Sequence, residues 1–144
     1  MNLHERGLVL PRAILVFVCL LPMACSRSAT GVYPVRGEVF FNGQPASGAV
    51  VHFHPLDKEE CSPAFAEVEE DGSFQLSTFA NYDGAEAGEY VVTINWRDVT
   101  PVEGDETIVG TDRLGERYSK PQTSKLKVTV VAGENVVPRF DLKT

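Results

Sequence analysis

Helical periodicity is what this 144-residue chain most lacks. Apolar residues at the spacing of an amphipathic helix cannot be followed beyond one turn, near residues 112–119, so a helical bundle is excluded. Basic residues are also scarce. The 13 Lys and Arg stand against 20 Asp and Glu, net −7, which speaks against nucleic acid as a partner, because phosphate binding needs clustered cations. There is no G-x-S-x-G elbow and no H-E-x-x-H helix. Adjacent carboxylates occur only in turns and loops, such as Glu69, Glu70 and Asp71, where solvent sets their protonation. No enzyme and no cofactor are expected from such a set. The 12 Gly and 9 Pro are scattered, so neither low complexity nor a long linker is indicated. The length allows one well-buried domain and is too short for two of ordinary size.

Long apolar runs are missing as well, with one informative exception. Residues 13–24, "AILVFVCLLPMA", form an apolar run of 12 after Arg6 and Arg12. That is short for a bilayer span and has the layout of an export signal. Small Ala24 is followed at once by Cys25 and the polar "SRSATG". This resembles a bacterial lipobox, with Pro22 standing where that pattern prefers Leu and Leu21 one place further back. The expectation is a lipoprotein signal over 1–24, lipidation of Cys25, a short tether over 25–32 and a domain over 33–144. Simple cleavage after Ala24 and an uncleaved anchor are the alternatives. Loss of the signal leaves 11 basic and 19 acidic side chains. Cys19 would leave with it and Cys25 would carry lipid, so Cys61 would stand alone with no intrachain disulfide to make. Burial of Cys61 is expected. The implied location is the cell envelope, lipid-anchored, and Ser26 after the cysteine favours the outer membrane or a periplasm-facing position.

From residue 31 onward the chain reads as short alternating strands punctuated by Gly, Asn and Asp. "VYPVRGEVFF" places Tyr33, Val35, Gly37, Val39 and Phe41 on one face, and Asn42-Gly43 then marks a hairpin turn. "AVVHFHP" sends Ala49, Val51 and Phe53 inward and His52 and His54 outward. "AFAEVEEDGSFQLST" reads as a hairpin folded at residues 70–72. In "GEYVVTINWR", Tyr90, Val92, Ile94 and Trp96 alternate with Val91, Thr93, Asn95 and Arg97. "KLKVTVV" and "NVVPRFDL" are expected to pair across "AGEN", with Pro138 at an edge or a bulge. Seven strands at this spacing predict an all-β sandwich.

The segments "VRGEVFFNGQPASGAVVHFHP", "EEDGSFQLST", "GAEAGEYVVTINW" and "GERYSKPQTSKLKVTVVAGENVVPRFDL" resemble small bacterial lipoproteins with a carboxypeptidase regulatory-like domain. The resemblance runs from about Tyr33 to Leu142. It implies a seven-stranded transthyretin-like (prealbumin-like) Greek-key β-sandwich. It implies no peptidase activity, since in metallocarboxypeptidases this domain is a non-catalytic appendage. The hydroxyisourate hydrolase of the transthyretin-like fold is marked by a Tyr-Arg-Gly-Ser C-terminus, whereas this chain ends "RFDLKT". The internal Lys–Asn crosslink of related adhesin sandwiches needs a lysine on an early strand, where this chain has Arg36.

Three candidate sites follow. His52 and His54, at i and i+2 on a strand, would hold a metal only if further ligands converged, and an exposed strand face is the preferred reading, with no metal expected. Residues 98–124 form a 27-residue crossing, long for a compact domain. Its first part holds Asp98, Glu103, Asp105, Glu106 and Asp112 with no basic residue, and apolar Ile108 and Val109 between glycines 104 and 110. The alternatives there are recognition of an envelope partner and an insertion with no role, with Tyr118 and Pro121 beyond it serving structure. The competing function is a glycan or small-ligand module. Trp96 is expected in the core, which leaves Phe79 and Tyr82 as the exposed aromatics.

Overall fold

The computed structural model describes residues 31–57, 59–102, 104 and 106–143. The signal over 1–24, Cys25, most of the tether, Glu103 and Asp105 lie outside the described residues.

All seven alternating runs form strands, and several break into two. The first run gives β1 (Val32–Tyr33) and β2 (Val35–Phe41), separated at Pro34, which has no N–H to donate. The break shifts the phase, so Val32 is buried in place of the expected Tyr33. At Asn42 and Gly43 both φ angles are positive, 49° and 81°, the primed turn that an Asn-Gly pair favours. The turn leads into the two-residue β3 (Gln44–Pro45), which pairs back on β2. Next come β4 (Val50–Pro55), β5 (Ala64–Glu67), β6 (Ser73–Gln75), β7 (Ala85–Glu86) and β8 (Gly88–Asn95). β9 (Arg97–Pro101), β10 (Thr107–Asp112), a 3-10 turn (Gly115–Arg117), β11 (Leu126–Val130), β12 (Asn135–Val136) and β13 (Phe140–Leu142) complete the chain.

Two main sheets face one another in an all-β, sandwich-like arrangement. One has the order β11-β8-β4-β5 and is antiparallel throughout. The other is built on β2, with β6 and β3 antiparallel to it, and β12 and β13 parallel to it. Phe53 and Tyr90 from the first sheet meet at 5.7 Å between ring centroids, and Phe53 meets Phe74 of the second at 6.4 Å. Phe74 stacks on Phe140 at 6.2 Å. Val39, Val51, Leu76, Val92, Ile94 and Leu142 fill the remaining space, each fully buried. At about 1.5–3 kcal/mol for each large apolar side chain, this layer is the main source of stability. β1 and β7 form a small ladder that closes one end. Gly84 is required there: with φ +103°, its hydrogen lies where a Cβ would overlap the Tyr33 carbonyl at 1.8 Å.

The expected last hairpin does not form, and the one expected over residues 64–78 forms only in part. β11 pairs with β8, whereas β12 crosses to the second sheet and lies parallel to β2. The buried Asn135 side chain drives the crossing. It accepts the Val131 N–H at 2.9 Å and donates to the Gly133 and Val131 carbonyls, closing the turn on itself. Its backbone N–H is then free to donate to the Pro34 carbonyl at 2.9 Å. Pro138 interrupts the return, between β12 and β13. The turn at residues 69–73 does form, with Gly72 N–H donating to Glu69 O at 3.0 Å, but β5 joins the first sheet and β6 the second. Cys61 is half-buried against the core, and its thiol donates to the Ala87 carbonyl at 3.4 Å. Among the described residues no helix is long and apolar enough to cross a membrane.

Candidate functional site

The crossing at residues 98–124 is not a plain loop. Its first half is a two-stranded antiparallel ladder of β9 and β10, outside both main sheets. Val99 lies opposite Val109, Thr100 opposite Ile108 and Pro101 opposite Thr107, with a register shift between Val109 and Asp112. Alternation puts Val99 and Val109 on one face and Ile108 on the other. Neither face is covered: Val99 is 62% exposed, Ile108 59% and Val109 56%. A two-stranded ribbon in water is marginal on its own. This one is fastened at its base.

The fastening uses Trp96, Asp98, Asp112 and Arg113. The Arg113 guanidinium pairs with both carboxylate oxygens of Asp98 and lies 4.8 Å above the Trp96 ring. Trp96 donates its indole N–H to the Ser47 carbonyl at 2.9 Å and meets Phe41 edge-on at 6.0 Å. Asp112 Oδ1 accepts the backbone N–H groups of Trp96 (3.2 Å) and Leu114 (2.9 Å). Its Oδ2 is buried with no hydrogen-bond partner among the described residues. Arg113 N–H donates to Trp96 O at 2.8 Å. Trp96 therefore sits half-buried at the rim, not in the core as its phase implied, because the core ends where the ribbon begins.

The five acidic candidates thus separate. Asp98 and Asp112 are structural posts of the ribbon. Glu106 is exposed near the tip, where its carbonyl accepts the Val102 N–H at 3.1 Å. Glu103 and Asp105 lie outside the described residues. Beyond the ribbon, Tyr118 packs on the core and its hydroxyl donates to the Lys143 carbonyl at 3.2 Å, as a structural role requires.

His52 and His54 lie on the outer face of the first sheet, with ring centroids 6.0 Å apart. His54 Nε2 is 2.8 Å from Thr93 Oγ1. Burial, and then the charge of His54, hold the His52 pKa below its ordinary value. Among the described residues no group of three His, Cys, Asp or Glu side chains is placed to hold a metal ion. The outer face is drier than alternation alone implies. Thr93 and Val91 are buried although they point away from the core, because β8 lies between β4 and β11 and its neighbours' side chains close over it.

Phe79 and Tyr82 are exposed, as expected from the loop that carries them. Phe65 is a third exposed aromatic that the sequence reading passed over. The signal was present: in Ala64-Phe65-Ala66 the small residues point inward, so the ring must point out.

No family model matches this chain, and no curated protein matches it. Among solved structures the chain is similar to a 9R-lipoxygenase from Cyanothece PCC8801, with a TM-score of 0.46 and 11% identity. The match covers 81% of this chain and 17% of that one, so the chain spans about a sixth of the enzyme's length. A likeness of that size bears on neither activity nor fold.

Proposed function

We propose that this chain is a non-enzymatic module of the bacterial cell envelope, held to a membrane by lipid on Cys25, which recognises a protein partner through the β9–β10 ribbon. The sandwich is of the carboxypeptidase regulatory-like, transthyretin-like type, in which seven principal strands follow a Greek key. Its position is the outer membrane or a periplasm-facing leaflet. Nucleic acid is not a partner.

One observation carries the reading: a fastened ribbon presents Val99, Ile108 and Val109 to solvent on both of its faces. Core packing does not require it, since the sandwich closes without it. Exposed apolar strands with open edges invite pairing with other chains, and proteins normally blunt them with charge or cover them. A rigid base under an uncovered apolar tip fits a surface that is covered by a partner.

The test uses a photo-crosslinking residue at position 108, with the same residue at position 129 as control. In envelope membranes position 108 should give one discrete adduct, which Val99→Ser with Val109→Ser in the same chain abolishes. Wild-type chain should partition into detergent and Cys25→Ser should not, since each buried methylene of an acyl chain contributes about 0.8 kcal/mol. Equal adducts at 108 and 129, or equal partitioning, contradict the respective half of the reading.

A further inference from the structure

β5 and β6 part to join different sheets, and the parting leaves a cleft. Val68 N–H donates to Ala49 O at 2.8 Å and Ala66 pairs with Val51, so both turn toward β4. By the two-residue alternation of an antiparallel strand, the backbone groups of Phe65, Glu67 and Glu69 turn toward β6. On β6, Leu76 N–H donates to Val35 O at 3.0 Å, which turns Ser73, Gln75 and Ser77 toward β5. Phe65 and Ser77 exchange both hydrogen bonds (3.0 and 2.9 Å), and Glu69 N–H donates to Ser73 O at 2.8 Å. Between them, Glu67 stands opposite Gln75, a pair that belongs to no β5–β6 ladder among the described residues. The ladder is closed on both sides of an opening one residue pair deep. Backbone donors and acceptors face into it.

Around this opening lies a groove of about 360 Å³, toward the small end of the ~300–1,000 Å³ typical of ligand sites. Phe65 and Tyr82 contribute aromatic rings, 53% and 61% exposed. Glu67, Gln75, Ser77 and Asn81 contribute polar groups, and none of the lining residues is Lys, Arg or His. The backbone at Tyr82 is held in place. Its φ is +59°, unusual for a bulky side chain, and its N–H donates to Ser77 Oγ at 2.8 Å. The next residue, Asp83, accepts the N–H groups of Thr78 (2.7 Å), Phe79 (3.0 Å) and Ala80 (2.9 Å).

We propose that this cleft is a carbohydrate site for a neutral or N-acetylated pyranose, whose apolar face lies on Phe65 and Tyr82 while its hydroxyls bond Glu67, Gln75 and Asn81. A sugar ring combines one C–H face with a rim of hydroxyls, which matches rings beside a polar floor. The carboxylates of Glu67 and Glu69 repel an acidic sugar, and Arg36, which stands beside Gln75 outside the lining, is paired with Glu134 at 3.0 Å. An extended peptide does not fit, because the ladder is bonded at both ends of the gap and leaves no room for a third strand. The site is independent of the β9–β10 ribbon.

The full chain in detergent is titrated calorimetrically with cellotetraose, maltotetraose, chitotetraose and tetragalacturonate. At least one of the first three should bind, and tetragalacturonate should not. Phe65→Ala and Tyr82→Gly should each weaken binding tenfold or more. Tyr82→Gly removes the ring while suiting the positive φ, so its melting temperature should hold or rise as binding falls. If Phe65→Ala does not fold, Tyr82→Gly alone decides. Val99→Ser with Val109→Ser should leave sugar binding intact, which separates this site from the ribbon. No binding by any neutral tetrasaccharide, a preference for tetragalacturonate, or undiminished binding in Tyr82→Gly overturns the proposal.

Discussion

Ile94 and Thr93 are both buried, yet for different reasons, and their substitutions should separate. Ile94 faces the core, so Ile94→Ala leaves a cavity and should cost about 2–5 kcal/mol in urea unfolding. Thr93 faces outward and partners His54, so Thr93→Ala forfeits mainly one hydrogen bond, about 0.5–1.5 kcal/mol. Equal losses would mean that β8 does not alternate. His52 gives a pH signature. Its pKa is lowered on folding from the ordinary 6.5, first by burial and then by His54. The unfolded chain therefore holds more protons at this site between that lowered value and 6.5. Its stabilising effect is complete above 6.5 and is lost as pH falls through that window. Melting curves should show this loss in wild type and a flatter response in His52→Gln. Asp71, Asp83 and Glu116 are also lowered; for Asp83 burial pushes upward, and the backbone N–H groups of Thr78, Phe79, Ala80 and Asp83 itself outweigh it. Their contribution is lost only at more acid pH, below the ordinary carboxylate range, so the two effects separate on the pH axis.

Strand identity was readable because it is local. Alternation in β2, β4 and β8 fixed which residues face the core, and Asn42-Gly43 fixed the first turn. Strand partners were not readable, because they are set by contacts far apart in sequence. Asn135 pairs with Val35, and β6 takes β2 as its ladder partner although a tight turn and the Phe65–Ser77 bridge tie its segment to β5. The β9–β10 ribbon was hidden for another reason. Its strands are exposed on both faces, so no apolar-polar alternation marks them, and Pro101 with the acidic tip reads as loop. The acidic residues marked the segment that forms the ribbon, but Asp98 and Asp112 fasten it instead of lining a site. Breaking the fastening tests this. Arg113→Ala removes one exposed ion pair and the guanidinium over Trp96, each worth up to about 1 kcal/mol, and because both lie at the ribbon base the global melting temperature should be nearly unchanged. Limited proteolysis should nevertheless cut at residues 97–112 faster than in wild type, because a lone ribbon is marginal. Unchanged cutting would mean that the ribbon is held by something other than its base.

The molecule as a whole divides its tasks between a closed sandwich and the features left outside it. Phe53, Phe74, Tyr90 and Phe140 supply the core and need no partner. The ribbon shows uncovered apolar residues on a fixed base, and lipid on Cys25 would confine it to a membrane surface, raising its effective concentration near envelope partners. The most direct measurement is amide hydrogen exchange on the wild-type chain, in native envelope membranes and after purification in detergent. Amides of residues 97–112 should exchange markedly more slowly in the membranes, because a partner covers the ribbon there, while β4 and β8 should exchange equally in both. Equal, fast exchange of the ribbon in the two settings would show that nothing covers it and would contradict the assignment of recognition to β9 and β10.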